Sequence, residues 1–327
     1  MIIPTFNDIE DAARILRGLA VRTPLLESPF LNELAGCRLL IKPEMLQITG
    51  SFKFRGAYNA ISRIPEERHA NGIVAYSSGN HAQGTAAAAQ SLNIPAIIVM
   101  PADAPRLKIE NTKAYGADVV LYDRIKESRE EIAASIAEER KATIIRPYDD
   151  PYIIAGQGTV GMEIADDCKA LGVELDALVI PCGGGGLPAG CALAFERLMP
   201  RTKVFTAEPK EFDDTARSLQ SGIRETNSPD GKSICDALLA PMPGELTFEI
   251  NHKIITAGLM ASDEEVRRAM AALFLRLKIV AEPGGAIAAA AVMAELARFK
   301  GKTVAVVCSG GNVDSDDFQK AITYSGN

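Results

Sequence analysis

The sequence predicts an α/β protein in which two open, twisted, mostly parallel sheets are covered by helices. Two observations carry that expectation. From residue 72 onward, short β-branched runs alternate with helical patterns, as parallel strands and their crossover helices do. Three of those runs also end in small or glycine-rich residues: "AYSSGNHAQG", "IPCGGGGLPAG" and "VVCSGGNVD". In open α/β sheets ligands collect beyond the carboxyl ends of strands, so these three turns are expected to converge on one site.

The first segment, "MIIPTFNDIEDAARIL", has acids early and lacks the basic-then-apolar pattern of a secretion signal. In "TGSFKFRGAYNA", Phe54, Ala57, Tyr58 and Ile61 fall at i, i+3, i+4 and i+7, which predicts a helix with Ser51 as its N-cap. Lys53 then lies where the macrodipole disfavours an ammonium, between two phenylalanines. That setting lowers a lysine's pKa and favours the neutral, nucleophilic amine. A lysine snorkelling beside an apolar face explains the same stretch.

The alternation follows. The strand "GIVAYSS" precedes an Ala-rich helix, "PAIIVM" a helix through "RLKIENTKAYG", "DVVLYD" the helix "ESREEIAASIAEER", and "ATIIRPY" a helix through "GTVGMEIADDCKALG". "ALVIPCGGGG" and its helix come next, then "KVFTAEP", two long helical patterns and "TVAVVCSGGN". "SGIRETNSPDGKS", residues 221 to 233, reads as a mobile surface connection.

With 47% hydrophobic and 24% charged residues, the 327-residue chain reads as an ordinary globular protein. Its 35 basic and 42 acidic residues leave a net charge of -7, which argues against nucleic acid or anionic membranes as partners. Small molecules are the expected ligands, and a cytoplasmic location is expected. The six cysteines form no CxxC pair, so a reduced, mostly buried set is expected, and three histidines are too few for a multi-histidine metal centre.

Gly183, Gly184, Gly185 and Gly186 precede Leu187 and a helix with Pro188 in its first turn. Backbone without Cβ atoms presents several N–H groups to one anion, and the helix end adds partial positive charge, so a phosphate cradle is expected. A tight strand-to-helix turn is the alternative. Neither GxGxxG nor a GK[ST] ending is present, which argues against a dinucleotide or a Walker loop. "SSGNHAQG" offers hydroxyls, an amide and N–H groups suited to a carboxylate, or simply a well-capped helix start. "AEPKEFDDTARS" gathers Glu208, Asp213 and Asp214, either for a hard cation or as an acidic helix N-terminus.

"GSFKFRGA", "SSGNHAQG", "IAGQGT", "CGGGGL", "AEP", "EPGGA" and "CSGGNVD" occur in the order seen in pyridoxal-phosphate enzymes of the second fold type. The chain resembles, over nearly its whole length, the branch holding serine/threonine dehydratases and serine racemase. The resemblance implies that Lys53 is the Schiff-base lysine, with Phe52 beside it, Asn80 on the ring's 3-oxygen, Gly183 to Gly186 on the phosphate, Leu187 and Glu282 among the cofactor-binding residues and Ser309 facing the pyridine nitrogen. It implies that Ser77, Ser78, Gly79 and His81 line the substrate carboxylate pocket, with Ser78 as second-face acid/base. It further implies a large cofactor domain of residues 1–65 and 147–327, a small mobile domain of residues 66–146, and a homodimer. A magnesium ion, or calcium or manganese in its place, is implied on Glu208, the Phe212 carbonyl and Asp214.

The activity so implied is removal of water and then ammonia from a β-hydroxy amino acid, L-threonine or L-serine, with Lys53 taking the Cα proton. Two departures point elsewhere. Cys235, Asp236 and Ala237 stand where the family usually has Ala, Asp and Gly, with Asp236 in the substrate pocket. Arg129 matches an arginine that engages a second carboxylate, which makes 3-hydroxyaspartate a rival substrate, although an arginine on an acidic helix is also explained as a solvated pair partner. Tyr148 is expected to shape the side-chain pocket. Serine racemase activity is another alternative, and a binding-only regulator that has lost catalysis is the rival from outside enzymology.

Overall fold

The computed structural model describes residues 2–77, 79–104 and 106–323. The apolar runs form ten strands: β1 (Leu26–Glu27), β2 (Arg38–Pro43), β3 (Ile73–Tyr76), β4 (Ala96–Pro101), β5 (Asp118–Tyr122), β6 (Thr143–Ile145), β7 (Ala177–Pro181), β8 (Lys203–Pro209), β9 (Ala257–Ala261) and β10 (Thr303–Cys308). One sheet has the order β1-β2-β10-β7-β8-β9 and the other β5-β4-β3-β6. Among the described residues, only β1 runs antiparallel to its neighbour. Along β2 and β10, Leu39, Ile41, Val304 and Val306 enter one core, while Leu40, Ala305 and Val307 enter another on the opposite face. Burial of both faces explains why these strands read as unbroken apolar runs.

The two sheets are as expected, with differences in detail. β1, β2 and β9 lie outside the runs the alternation singles out: β1 is two residues long, β2 precedes the first regular crossover, and β9 carries Gly258 where Ala216 packs on the backbone. Ser51 is not the N-cap of the Lys53–Ile61 helix. Phe52 holds that position and Ser51 bridges antiparallel to Gly310, because the preceding turn runs along the loop after β10. The helix through "GTVGMEIADDCKALG" begins earlier, at Pro151, where Asp150 accepts from the N–H groups of Tyr152 and Ile153. Residues 222 to 235 contain no helix or strand, and all six cysteines are free and buried. No described helix is long and apolar enough to cross a membrane.

Phe54, Ala57, Tyr58 and Ile61 are buried as their spacing requires, and the helix carrying them packs on the Asn80–Ser91 and Pro151–Leu171 helices. The approach is close: a Cβ on Gly84 would lie 3.0 Å from the Lys53 backbone carbon. On the far side, Arg55 is 1% exposed and bonds bidentately to Glu44, with both contacts at 2.8 Å. It also donates to Glu163 at 2.7 and 2.9 Å, and Lys42 Nζ reaches the same carboxylate at 2.6 Å. Burial alone would raise the Glu44 carboxyl, but Arg55 outweighs it and holds Glu44 ionised. Arg55→Met would leave Glu44 buried and unpaired, so the urea midpoint is expected to fall by the equivalent of roughly 3–5 kcal/mol. An unchanged midpoint would remove this network from the supports of the fold.

Candidate active site

A cavity of about 390 Å³ opens between the two sheets. The turns after β3, β7 and β10 all reach it, through Ser77 and Gly79, through Gly183 to Gly186, and through Ser309. The convergence expected from three strand ends is therefore observed, and Phe52, Lys53, Asn80, His81 and Leu187 share the same lining. Ser78 lies outside the described residues.

Lys53 opens its helix on the cavity floor. Its Nζ donates to the Pro147 carbonyl at 2.9 Å and sits 5.1 Å from the centre of the Phe52 ring, while Phe54 is core. Burial pulls the ammonium down to about 8, with the nearby Glu282 carboxylate opposing. Imine formation requires the free amine. Trapping of Lys53 by a small aldehyde and borohydride should therefore gain rate with pH around a midpoint of about 8. A midpoint at the ordinary lysine value near 10.5 would contradict the buried setting.

The four glycines line the same cavity. Gly185 has φ +93°, and a Cβ on Gly184 would run into the Tyr148 ring. Their carbonyls are tied away from the cavity: Gly184 O accepts from Thr247 Oγ1 at 2.7 Å and from Gly244 N at 3.2 Å, and Gly185 O accepts from Asn251 Nδ2 at 3.2 Å. The N–H groups of Gly183, Gly184 and Gly185 make no hydrogen bond among the described residues. Together with the helix beginning at Gly186, they form a donor cluster suited to a phosphate.

The remaining polar groups divide by charge. His81 is fully enclosed, with Nε2 on Ile145 O at 3.1 Å. Burial and the neighbouring Lys53 push it down to about 3, so the ring is neutral. Glu282 is buried, its Oε1 accepts from Asn80 Nδ2, and burial lifts the carboxyl to about 7 against the pull of Lys108. Arg129 lies over the Tyr76 ring and pairs with Glu130 at 2.8 Å. It faces the cavity together with Tyr148, whose phenol is raised by burial. Asp236 also lines the cavity and receives a hydrogen bond from Lys108, an almost completely buried lysine. Burial works against the Lys108 charge, but Asp236 and Glu282 outweigh it. Sequence reasoning missed Lys108 because "RLKIENTKA" shows only a helical pattern. Gln157, of "IAGQGT", also lines the cavity and was not singled out.

Glu208 and Asp214 are buried at the start of the Asp214–Ser221 helix, with Phe212 beside them. Glu208 accepts from Thr215 N and Ala216 N at 2.9 and 2.8 Å. Asp214 Oδ1 accepts from Asn227, and its Oδ2 has no partner among the described residues. Burial and the neighbouring Asp214 raise Glu208 well above the usual carboxylate range, and burial lifts Asp214 to about 7. No group of three or more His, Cys, Asp and Glu side chains suited to a metal is found among the described residues.

Comparison with known proteins places this architecture. Residues 16–310 match the family described as "Pyridoxal-phosphate dependent enzyme". The chain is 41% identical over 324 residues to L-threo-3-hydroxyaspartate ammonia-lyase of Saccharomyces cerevisiae, covering 99% of this chain and 98% of that protein. It is 41% identical over 319 residues to L-threonine ammonia-lyase of Thermotoga maritima, covering 97% and 78%. The crystal structure of serine racemase from Dictyostelium discoideum superposes with a TM-score of 0.87 at 37% identity, covering 95% of this chain and 99% of that one. A buried amine at a helix start, facing a four-glycine anion cradle across one cavity, is the site such a cofactor requires, and the chain belongs to the family of pyridoxal-phosphate dependent enzymes.

Proposed function

We propose that the protein is an ammonia-lyase that converts a β-hydroxy amino acid to a 2-oxo acid and ammonia. The observation that carries this reading is the neutral-prone Lys53 amine facing the cradle of Gly183 to Gly186 across the cavity. Bound pyridoxal phosphate supplies the electron sink that makes the Cα–H bond acidic. The cradle and Leu187 N–H would hold its phosphate, Asn80 Nδ2 its ring oxygen, and the Ser309 hydroxyl its ring nitrogen. Phe52 would pack beside it, and Glu282, bonded to Asn80, would lie behind that contact. A neutral hydroxyl would not hold that nitrogen protonated as a carboxylate would, which favours prompt loss of the β-hydroxyl.

Ser77, Gly79 and the N-terminus of the Asn80–Ser91 helix would take the substrate carboxylate, with neutral His81 beneath them. Ser77 Oγ already accepts from Gly79 N at 3.2 Å, which stiffens that turn. The role of acid/base on the second face of the substrate would fall to Ser78, as the resemblance implies. Lys53 Nζ, once free and neutral, removes the Cα proton. The β-hydroxyl leaves as water, and the resulting enamine tautomerises and takes up water to release ammonia and the 2-oxo acid. The segment 66–146 would close over the cavity as the smaller, moving unit, and the protein would act as a homodimer.

The choice of substrate rests on Arg129. Its place in the cavity lining favours 3-hydroxyaspartate as a second reading beside L-threonine and L-serine, and the relatives named for both activities support keeping the two. Asp236 and Tyr148 would shape the pocket for the side chain. A divalent cation, magnesium foremost, would be held by Glu208, the Phe212 carbonyl and Asp214, and the buried Asp214 Oδ2, which has no partner among the described residues, supports this reading. It would neutralise two buried acids and brace β8 against the following helix, without touching the substrate.

Ammonia and 2-oxo-acid release from L-serine, L-threonine, D-serine and the 3-hydroxyaspartate stereoisomers tests the activity. Lys53→Ala is expected to abolish the visible colour of the protein and to lower turnover by roughly 10²–10⁴-fold. A colourless wild-type protein that releases no ammonia from any of them would favour the binding-only regulator instead. Chelator should lower the melting temperature if the Glu208 and Asp214 site holds a cation, and no shift in melting temperature or activity would count against it.

A further inference from the structure

Two chain segments are zipped together beneath the cavity. Phe52 N donates to Ser309 O at 3.1 Å, Gly311 N donates to Gly50 O at 2.9 Å, and Ser51 bridges Gly310 between them. The zipper begins at a turn in which Thr49 and Gly50 both have positive φ, +65° and +69°. Thr49 is β-branched, so its left-handed conformation is strained and persists only because its surroundings hold it. The side chain that meets it is Asn312, whose Nδ2 donates to Thr49 O at 2.8 Å. The same Nδ2 donates to Asn80 Oδ1, also at 2.8 Å.

We propose that Asn312 is a positioning residue for the cofactor: its amide dictates which end of the Asn80 amide faces the cavity, and it clasps the turn that delivers Lys53. The direction is set by one group. A backbone carbonyl only accepts, so the end of Asn312 at Thr49 O is the NH2 end. Asn80 must then turn its oxygen to Asn312, which sends its own NH2 toward Glu282 Oε1. One of those two N–H bonds serves Glu282, and the other is left for the cofactor's ring oxygen. Gly310 makes room for this arrangement, since a Cβ there would run into Glu282 Oε1. The proposal rests on the reading of Asn80 as a cofactor ligand.

Asn312→Asp keeps the shape and removes both donors. A carboxylate facing Asn80 Oδ1 would turn the Asn80 amide over and present oxygen where the cofactor needs a donor. The variant holoenzyme is expected to hold pyridoxal phosphate roughly tenfold or more weakly. Its visible absorbance band should be diminished and its pH profile displaced, read by spectrophotometric titration without any substrate. An Asn312→Asp protein with wild-type cofactor affinity, band and pH profile would overturn the proposal. Should that variant fail to fold, the cycle of Asn80→Ala, Asn312→Ala and the double variant decides the matter through cofactor affinity. If Asn312 acts through Asn80, the double variant loses little more than Asn80→Ala alone, whereas fully additive losses overturn the proposal. A wild-type protein that takes up no pyridoxal phosphate would instead overturn the cofactor reading itself, and this inference with it.

Discussion

The guanidinium of Arg55, two residues beyond Lys53, is out of water and must be matched by carboxylates brought to it. Glu44 comes from the turn after β2 and Glu163 from the Pro151–Leu171 helix, so one planar cation joins the six-stranded sheet, the lysine helix and the long helix at a single point. A bidentate pair tolerates little change in angle. The helix that begins with Lys53 is therefore held in azimuth as well as in depth, and the backbone contact with Gly84 leaves it no room to slide. The Lys53 amine inherits its position from that network.

The cavity above it is prepared for an anion by what its backbone is prevented from doing. Thr247, Asn251 and Gly244 engage the carbonyls of Gly184 and Gly185 from behind, which leaves N–H groups toward the cavity without any rearrangement on binding. Charge is treated in the opposite way on the floor and at the walls. Lys53 and His81 are pushed toward neutrality by burial, whereas Lys108 and Arg129 keep their charge because carboxylates lie beside them. A neutral amine suited to nucleophilic work and cationic groups suited to carboxylates can thus share one small space.

Much of this was legible in the chain. The alternation of runs placed β3 to β8 and β10, and the three small-residue strand ends foretold one shared site, because period and turn chemistry are local properties. Lys53, Asn80 and the four glycines could be named because each stands in a motif with its own physical reason, whereas Ser309 came only from the resemblance. Ser51 was misassigned as a cap: its local sequence suits one, but a strand-like pairing with Gly310, more than 250 residues away, claims its backbone. Lys108 carried no signal, since nothing local marks a helix lysine whose acid lies 128 residues away in the chain.

The sequence by itself determined the element types, the likelihood that strand ends carry the ligand site, and the residue kinds available there, since hydrophobic period, glycine freedom and helix-end charge act within a few residues. Tertiary structure alone decided which of those residues meet and in what charge state. The pull on Lys53, the pairing of Lys108 with Asp236, the orphaned oxygen of Asp214 and the orientation of the Asn80 amide all arise from groups distant in the chain. Desolvation and hydrogen-bond direction exist only once the packed neighbours are in place.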